Sequence, residues 1–132
     1  MSAKYKLNII ASVLTVLMGF SHFFVPAFLP WQEFTAELYP PISWALYAMN
    51  FFFSFLLTWG GILTFVSYGH TDLRKWIVGG MALFWITGGF YQLLIPFPIA
   101  EARWFLPIIA FTISIMYLVV LFLKEKEEFI ES

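Results

Sequence analysis

Residues 19–26 read GFSHFFVP and set a histidine, His22, among phenylalanines in a stretch otherwise built to avoid water. A neutral imidazole both donates and accepts hydrogen bonds, so it is the most versatile group in that run. Tyr47, Asn50, Tyr91, Gln92 and Thr112 add further hydrogen-bonding side chains within long apolar stretches. Such groups suit the holding of a polar head group. Metal binding would need several His, Cys, Asp or Glu at ligand spacing, and only His22 falls at such a depth, so no metal is expected. The chain has 0 cysteines, which removes disulfides, thiolate catalysis and iron–sulfur ligation. There is no GxSxG, no glycine-rich phosphate loop and no carboxylate inside an apolar run to relay protons. No autonomous catalytic activity is expected.

The surroundings of these groups follow from composition. Of 132 residues, 61% are hydrophobic and 11% charged, against about 45–50% and about 25% in ordinary soluble domains. The chain therefore reads as an integral membrane protein with the lipid bilayer as its first partner. A net charge of −1 and the lack of any basic cluster give no case for nucleic acid.

Stretches 7–32, 38–71, 76–100 and 104–123 carry no Asp, Glu, Lys or Arg. Each can hold one membrane-spanning helix, which needs about 20 apolar residues. The predicted fold class is all-α: a four-transmembrane-helix bundle in one domain, 1–132, with helices near 7–25, 43–66, 76–95 and 105–123. Four spans put both termini and the middle loop on one side. That side carries Lys4, Lys6, Arg74, Lys75, Lys124 and Lys126, and the other only Arg103. By the positive-inside rule the termini are cytoplasmic, and the expected location is the plasma (inner) membrane. The first span lacks a small-residue cleavage pattern and reads as a retained helix.

The segment PWQEFTAELYPP, 30–41, reads as a short helix in the outer interface between spans 1 and 2, with Trp31, Phe34 and Leu38 on one face. On the first span Asn8, Ser12, Thr15, Gly19 and His22 recur in steps of three and four, and Ser43, Tyr47, Asn50 and Ser54 repeat the pattern on the second. Such stripes face the bundle interior. His22, Asn50, Tyr91, Gln92 and Thr112 would then share the outer third of the bundle. The expectation is a polar pocket opening outward, lidded by Trp31, Phe34 and Leu38, with Trp59 and Trp85 as packing or lipid-contact residues. The plainer alternative is interhelical hydrogen bonding. The doublets Gly60-Gly61, Gly79-Gly80 and Gly88-Gly89 are expected to allow close helix contact. His70 is expected at the surface or at a helix cap, with Thr71 or Asp72 as the cap.

The motif Gly19-Phe20-Ser21-His22-Phe23-Phe24-Val25-Pro26 resembles the G-x-x-H-F-x-x-P pattern that closes the first helix of many DoxX-like membrane proteins. Residues 50–61 resemble that family's second-helix segment ending in glycine, although the family commonly has glutamate near the position of Asn50. A weaker similarity is to EXPERA bundles, whose intramembrane acids are absent here. The DoxX resemblance implies a four-helix bundle with both ends cytoplasmic and an association with quinone-linked oxidation. It would let His22, Tyr47 and Asn50 hydrogen-bond a quinone carbonyl, with Trp59 and Trp85 lining a slot for its apolar part.

Three functional readings follow. One is a binding or accessory bundle for an amphipathic small molecule or the helix of a membrane-protein partner. Another is a quinone-associated redox subunit, and the last an oligomeric channel or carrier, with a homo-oligomer as partner.

Overall fold

The computed structural model describes residues 2–95 and 103–123. Most of the third loop, with Glu101, and the tail with Lys124 and Lys126 lie outside the described residues. The chain forms α1 (Ala3–His22), α2 (Val25–Phe28), α3 (Trp31–Thr35), α4 (Pro40–Val66), a 3-10 turn (Ser67–Gly69), α5 (Thr71–Leu94) and α6 (Phe105–Phe122). No strand occurs among the described residues. Helices α1, α4, α5 and α6 are each long and apolar enough to cross a membrane, the architecture of a multi-pass membrane protein.

Local chemistry explains the boundaries. Ser2 caps α1 by accepting a hydrogen bond from the Tyr5 amide. Pro40 and Pro41 open α4, where a missing amide hydrogen costs nothing. The first three spans begin about a turn earlier than expected, α1 and α5 taking in polar residues such as Lys4 and Asp72, whereas α6 begins at Phe105 as expected. The residue capping α5 is His70 rather than Thr71 or Asp72, and its side chain makes no cap bond. Asp72 sits in the first turn, where the helix dipole favours an acid.

Helix α1 packs most extensively on α4, and α5 on α6, with α1 against α6 closing the ring. Helices α4 and α5, although joined by a tight turn, pack least among these neighbours. Lys4 Nζ donates to the Leu123 carbonyl at 3.0 Å, which brings the start of α1 and the end of α6 together on one side. Missing side chains set the α1–α4 approach. A Cβ on Gly61 would lie 2.9 Å from Val16 N and 3.0 Å from Ser12 O, and one on Gly19 would press on the Thr58 backbone. Of the doublets, Gly60, Gly61 and Gly89 stand at close contacts with Met81, with Val16 and Ser12, and with Phe111. Gly79, Gly80 and Gly88 do not, because their faces meet little or nothing.

The core joins Ala11, Leu57, Val78, Ala82, Trp85, Ala110, Ile113, Tyr117 and Val120. Only 22% to 33% of each span's most apolar stretch is buried within the chain. Leu94 and Phe122 are 82% and 79% exposed. Apolar surface on that scale suits lipid and not water.

Candidate functional site

Hydrogen-bonding groups gather at two levels. The central level ties all four spans together. The Trp85 indole of α5 donates to Thr15 Oγ1 at 3.1 Å. Thr15 Oγ1 lies 2.9 Å from the Tyr117 hydroxyl of α6, which lies 3.2 Å from Thr64 Oγ1 of α4. Thr64 donates to the Gly61 carbonyl at 2.8 Å, and Ser12 Oγ stands 2.7 Å from Thr64 Oγ1. One arrangement of protons makes all of these bonds at once. An indole N–H only donates and a carbonyl only accepts. With the Thr64 proton committed to Gly61, Ser12 and Tyr117 must both donate to Thr64, so Thr15 donates to Tyr117. Asn8 Nδ2 donates to the Thr64 carbonyl at 3.0 Å, and Ser114 Oγ to the Ala82 carbonyl at 2.9 Å.

This level is satisfied from within and has no group left to offer a ligand, apart from Asn8 Oδ1 and Ser67 Oγ, which are buried without a partner. Its role is to clasp the bundle, as the interhelical alternative anticipates for Asn8, Ser12 and Thr15. Trp85 belongs here, as a buried clasp residue rather than the wall of an outer slot.

The outer level differs. His22 ends α1, its Nδ1 2.7 Å from the Met18 carbonyl and its ring packed on Phe53 at 5.1 Å. Asn50 Nδ2 of α4 donates to the His22 carbonyl at 2.9 Å. Tyr47, a turn further out on the same face, packs against Trp31 of α3 with ring centres 5.6 Å apart. Phe53 meets Phe84 of α5 at 5.8 Å, and both rings are 39% exposed. An aromatic row therefore runs from His22 across the α4–α5 seam, the loosest junction between neighbouring spans.

The structure thus brings His22, Asn50, Tyr47 and Trp31 together and leaves other expected members apart. Trp59 is exposed, on the side of α4 opposite its buried residues Ser54, Leu57, Gly61 and Thr64. Tyr91 is exposed for the same reason on α5, whose buried face is Val78, Ala82, Trp85 and Gly89. Thr112 faces away from the bundle and satisfies its hydroxyl on the Ile108 carbonyl at 2.8 Å. Gln92 is half-buried and its side chain makes no hydrogen bond among the described residues. Of the lid residues only Trp31 seats on the bundle. Phe34 is 71% exposed, and Leu38 lies beyond α3, which ends at Thr35 and cannot carry all three on one helical face.

The outer end, where a polar pocket is expected, is bordered by residues 96–102, which lie outside the described residues. A groove of about 270 Å³ does open between α1 and α4, but it lies deeper in the membrane, lined by Val13, Val16, Leu17, Gly61, Ile62 and Phe65 beside Ser12. Tyr117, Thr64 and Ser114 carry the clasp and escaped the sequence reading. A search for partners at the depth of Thr15 on the other spans would have found them. Among the described residues no group of His, Asp or Glu could hold a metal. No protein-family model, curated protein or solved structure matches the chain.

Proposed function

We propose that the chain is a small membrane-embedded binding or accessory bundle that receives an amphipathic small molecule at its outer end, against His22, Asn50, Tyr47 and the Phe53–Phe84 row. The observation that carries this reading is the contrast between the two levels. The central hydroxyls are mutually satisfied, whereas His22 and Asn50 each spend one polar atom on a backbone carbonyl and keep the other open. An ionisable side chain within a span, here His22, is by default a candidate functional residue. The partly exposed rings at the α4–α5 seam supply an apolar bed reached from the bilayer. The bias of Lys and Arg toward the termini and middle loop supports a cytoplasmic placement of both ends, with the site near the outer face.

The axis of a single chain is filled by Tyr117, Ile113, Val78 and Trp85, which weighs against a channel through one copy. The likeness of GFSHFFVP to the DoxX-like pattern favours a quinone-type molecule, and the quinone-associated subunit is the second reading. Native mass spectrometry of protein extracted in mild detergent tests the proposal. A bound mass of a few hundred daltons should be lost in His22→Ala and kept in Ser114→Ala. Retention of that mass in folded His22→Ala would refute it.

A further inference from the structure

The hydrogen bonds already made at the outer site specify what is left for a ligand. Nδ1 of His22 faces the Met18 carbonyl at 2.7 Å. A carbonyl can only accept, so Nδ1 carries a proton, and a neutral ring then has only a lone pair at Nε2. Asn50 is oriented by the same logic. Its Nδ2 donates to the His22 carbonyl at 2.9 Å, which leaves Oδ1, an acceptor, as its free atom. Neither Nε2 nor Oδ1 has a hydrogen-bond partner among the described residues, and neither is sealed inside the bundle. Asn50 and Phe53 lie one turn apart on α4 and both meet His22. No ionised residue lies within these two spans at that depth.

Resting on the small-molecule reading above, we infer that the outer site takes an amphipathic molecule whose head group donates hydrogen bonds through a hydroxyl, and that it discriminates against head groups that only accept. Two acceptors beside an aromatic row match a phenolic or alcoholic O–H. A quinone carbonyl, which the DoxX resemblance would pair with His22, meets a lone pair instead of a proton. A quinol fits where the quinone does not. The Phe53 and Phe84 rings would bed the apolar body of the molecule at the α4–α5 seam.

The test uses the full chain in nanodiscs and three probes: 4-octylphenol, its methyl ether, and 1-dodecanol. Binding is read by native mass spectrometry, and the His22 ring by NMR on protein with ¹⁵N-labelled histidine. The phenol should bind about five- to tenfold more tightly than its ether, the worth of one net hydrogen bond. It should also shift the Nε2 resonance in the direction of an accepted hydrogen bond. His22→Phe, checked for folding by circular dichroism, should narrow the phenol's advantage over the ether to what Asn50 Oδ1 alone supplies. Dodecanol bound as well as the phenol would support the inference with an aliphatic alcohol as the source, and dodecanol left unbound would support it with an aromatic one. Equal binding of phenol and ether in the parent would overturn the hydroxyl rule while leaving a binding site. No probe bound above the His22→Phe level would overturn the binding reading itself.

Discussion

Replacing Gly19 with alanine should drive α1 and α4 apart. A Cβ at this position would lie 2.9 Å from Thr58 Cα and 2.5 Å from Thr58 Oγ1, and would press on the Thr58 amide nitrogen. Carbon atoms pack best at about 3.5–4.0 Å, so the helices must separate by about 1 Å. The neighbour has little room to yield, because two of these atoms are backbone and Thr58 Oγ1 is committed to the Ser54 carbonyl at 2.8 Å. Overpacking of this kind costs about 1–3 kcal/mol. Separation also stretches the α1–α4 hydrogen bonds on either side, from Asn8 to Thr64 at 3.0 Å and from Asn50 to His22 at 2.9 Å. Each is worth about 0.6 kcal/mol in a membrane bundle. The expected loss is therefore about 2–4 kcal/mol, read from SDS-titration unfolding followed by circular dichroism. Gly80→Ala is the control, since a Cβ there meets nothing within 4 Å. It should be neutral or stabilise by up to about 1 kcal/mol. A Gly19→Ala protein within about 0.5 kcal/mol of the parent would refute the close approach.

Other expectations can be checked in the same system. Tyr117→Phe removes the hydroxyl between Thr15 and Thr64 and should cost about 0.5–2 kcal/mol, and a double-mutant cycle with Thr15→Val should show coupling of about 0.5–1.5 kcal/mol; strict additivity would break the proposed clasp. Ser67→Ala deletes a buried hydroxyl that has no partner, so unfolding measurements should find it neutral or stabilising by up to about 1 kcal/mol. The chain has 0 cysteines, which makes single-cysteine labelling clean. In intact cells a membrane-impermeant maleimide should modify Ala36→Cys and spare Gly69→Cys, and the reverse pattern would invert the proposed orientation.

The spans were legible because length and charge alone decide them. A stretch such as 104–123, without one charge, has no other stable place than lipid. The inward stripe of α1 was legible for a related reason, since steps of three and four put Asn8, Ser12, Thr15 and Gly19 on one face, and all four are buried. The site was less legible. Depth from a helix end predicts level but not azimuth, and Trp59, Tyr91 and Thr112 sit at plausible depths on the wrong faces. The face of each span is set by its partners, so Thr112 lost its place to Ile113, Ser114 and Tyr117. Trp85 is the opposite case, a packing residue of the core. Its size suggested packing or a slot wall, but its indole N–H needed an acceptor and found Thr15 across the bundle. The tautomer of His22 could not be read from the chain, because it depends on which carbonyl its Nδ1 meets.

The most direct test of the outer-end site is photo-crosslinking in the native membrane. A benzophenone side chain placed at Phe53, whose ring touches both His22 and Phe84, is compared with one at Phe122, which faces outward at the far end of α6. The account predicts that position 53 captures a discrete amphipathic molecule of a few hundred daltons, enriched over position 122 and lost when His22 is also replaced by alanine. The same bulk-lipid adducts at both positions, unaffected by His22→Ala, would contradict it.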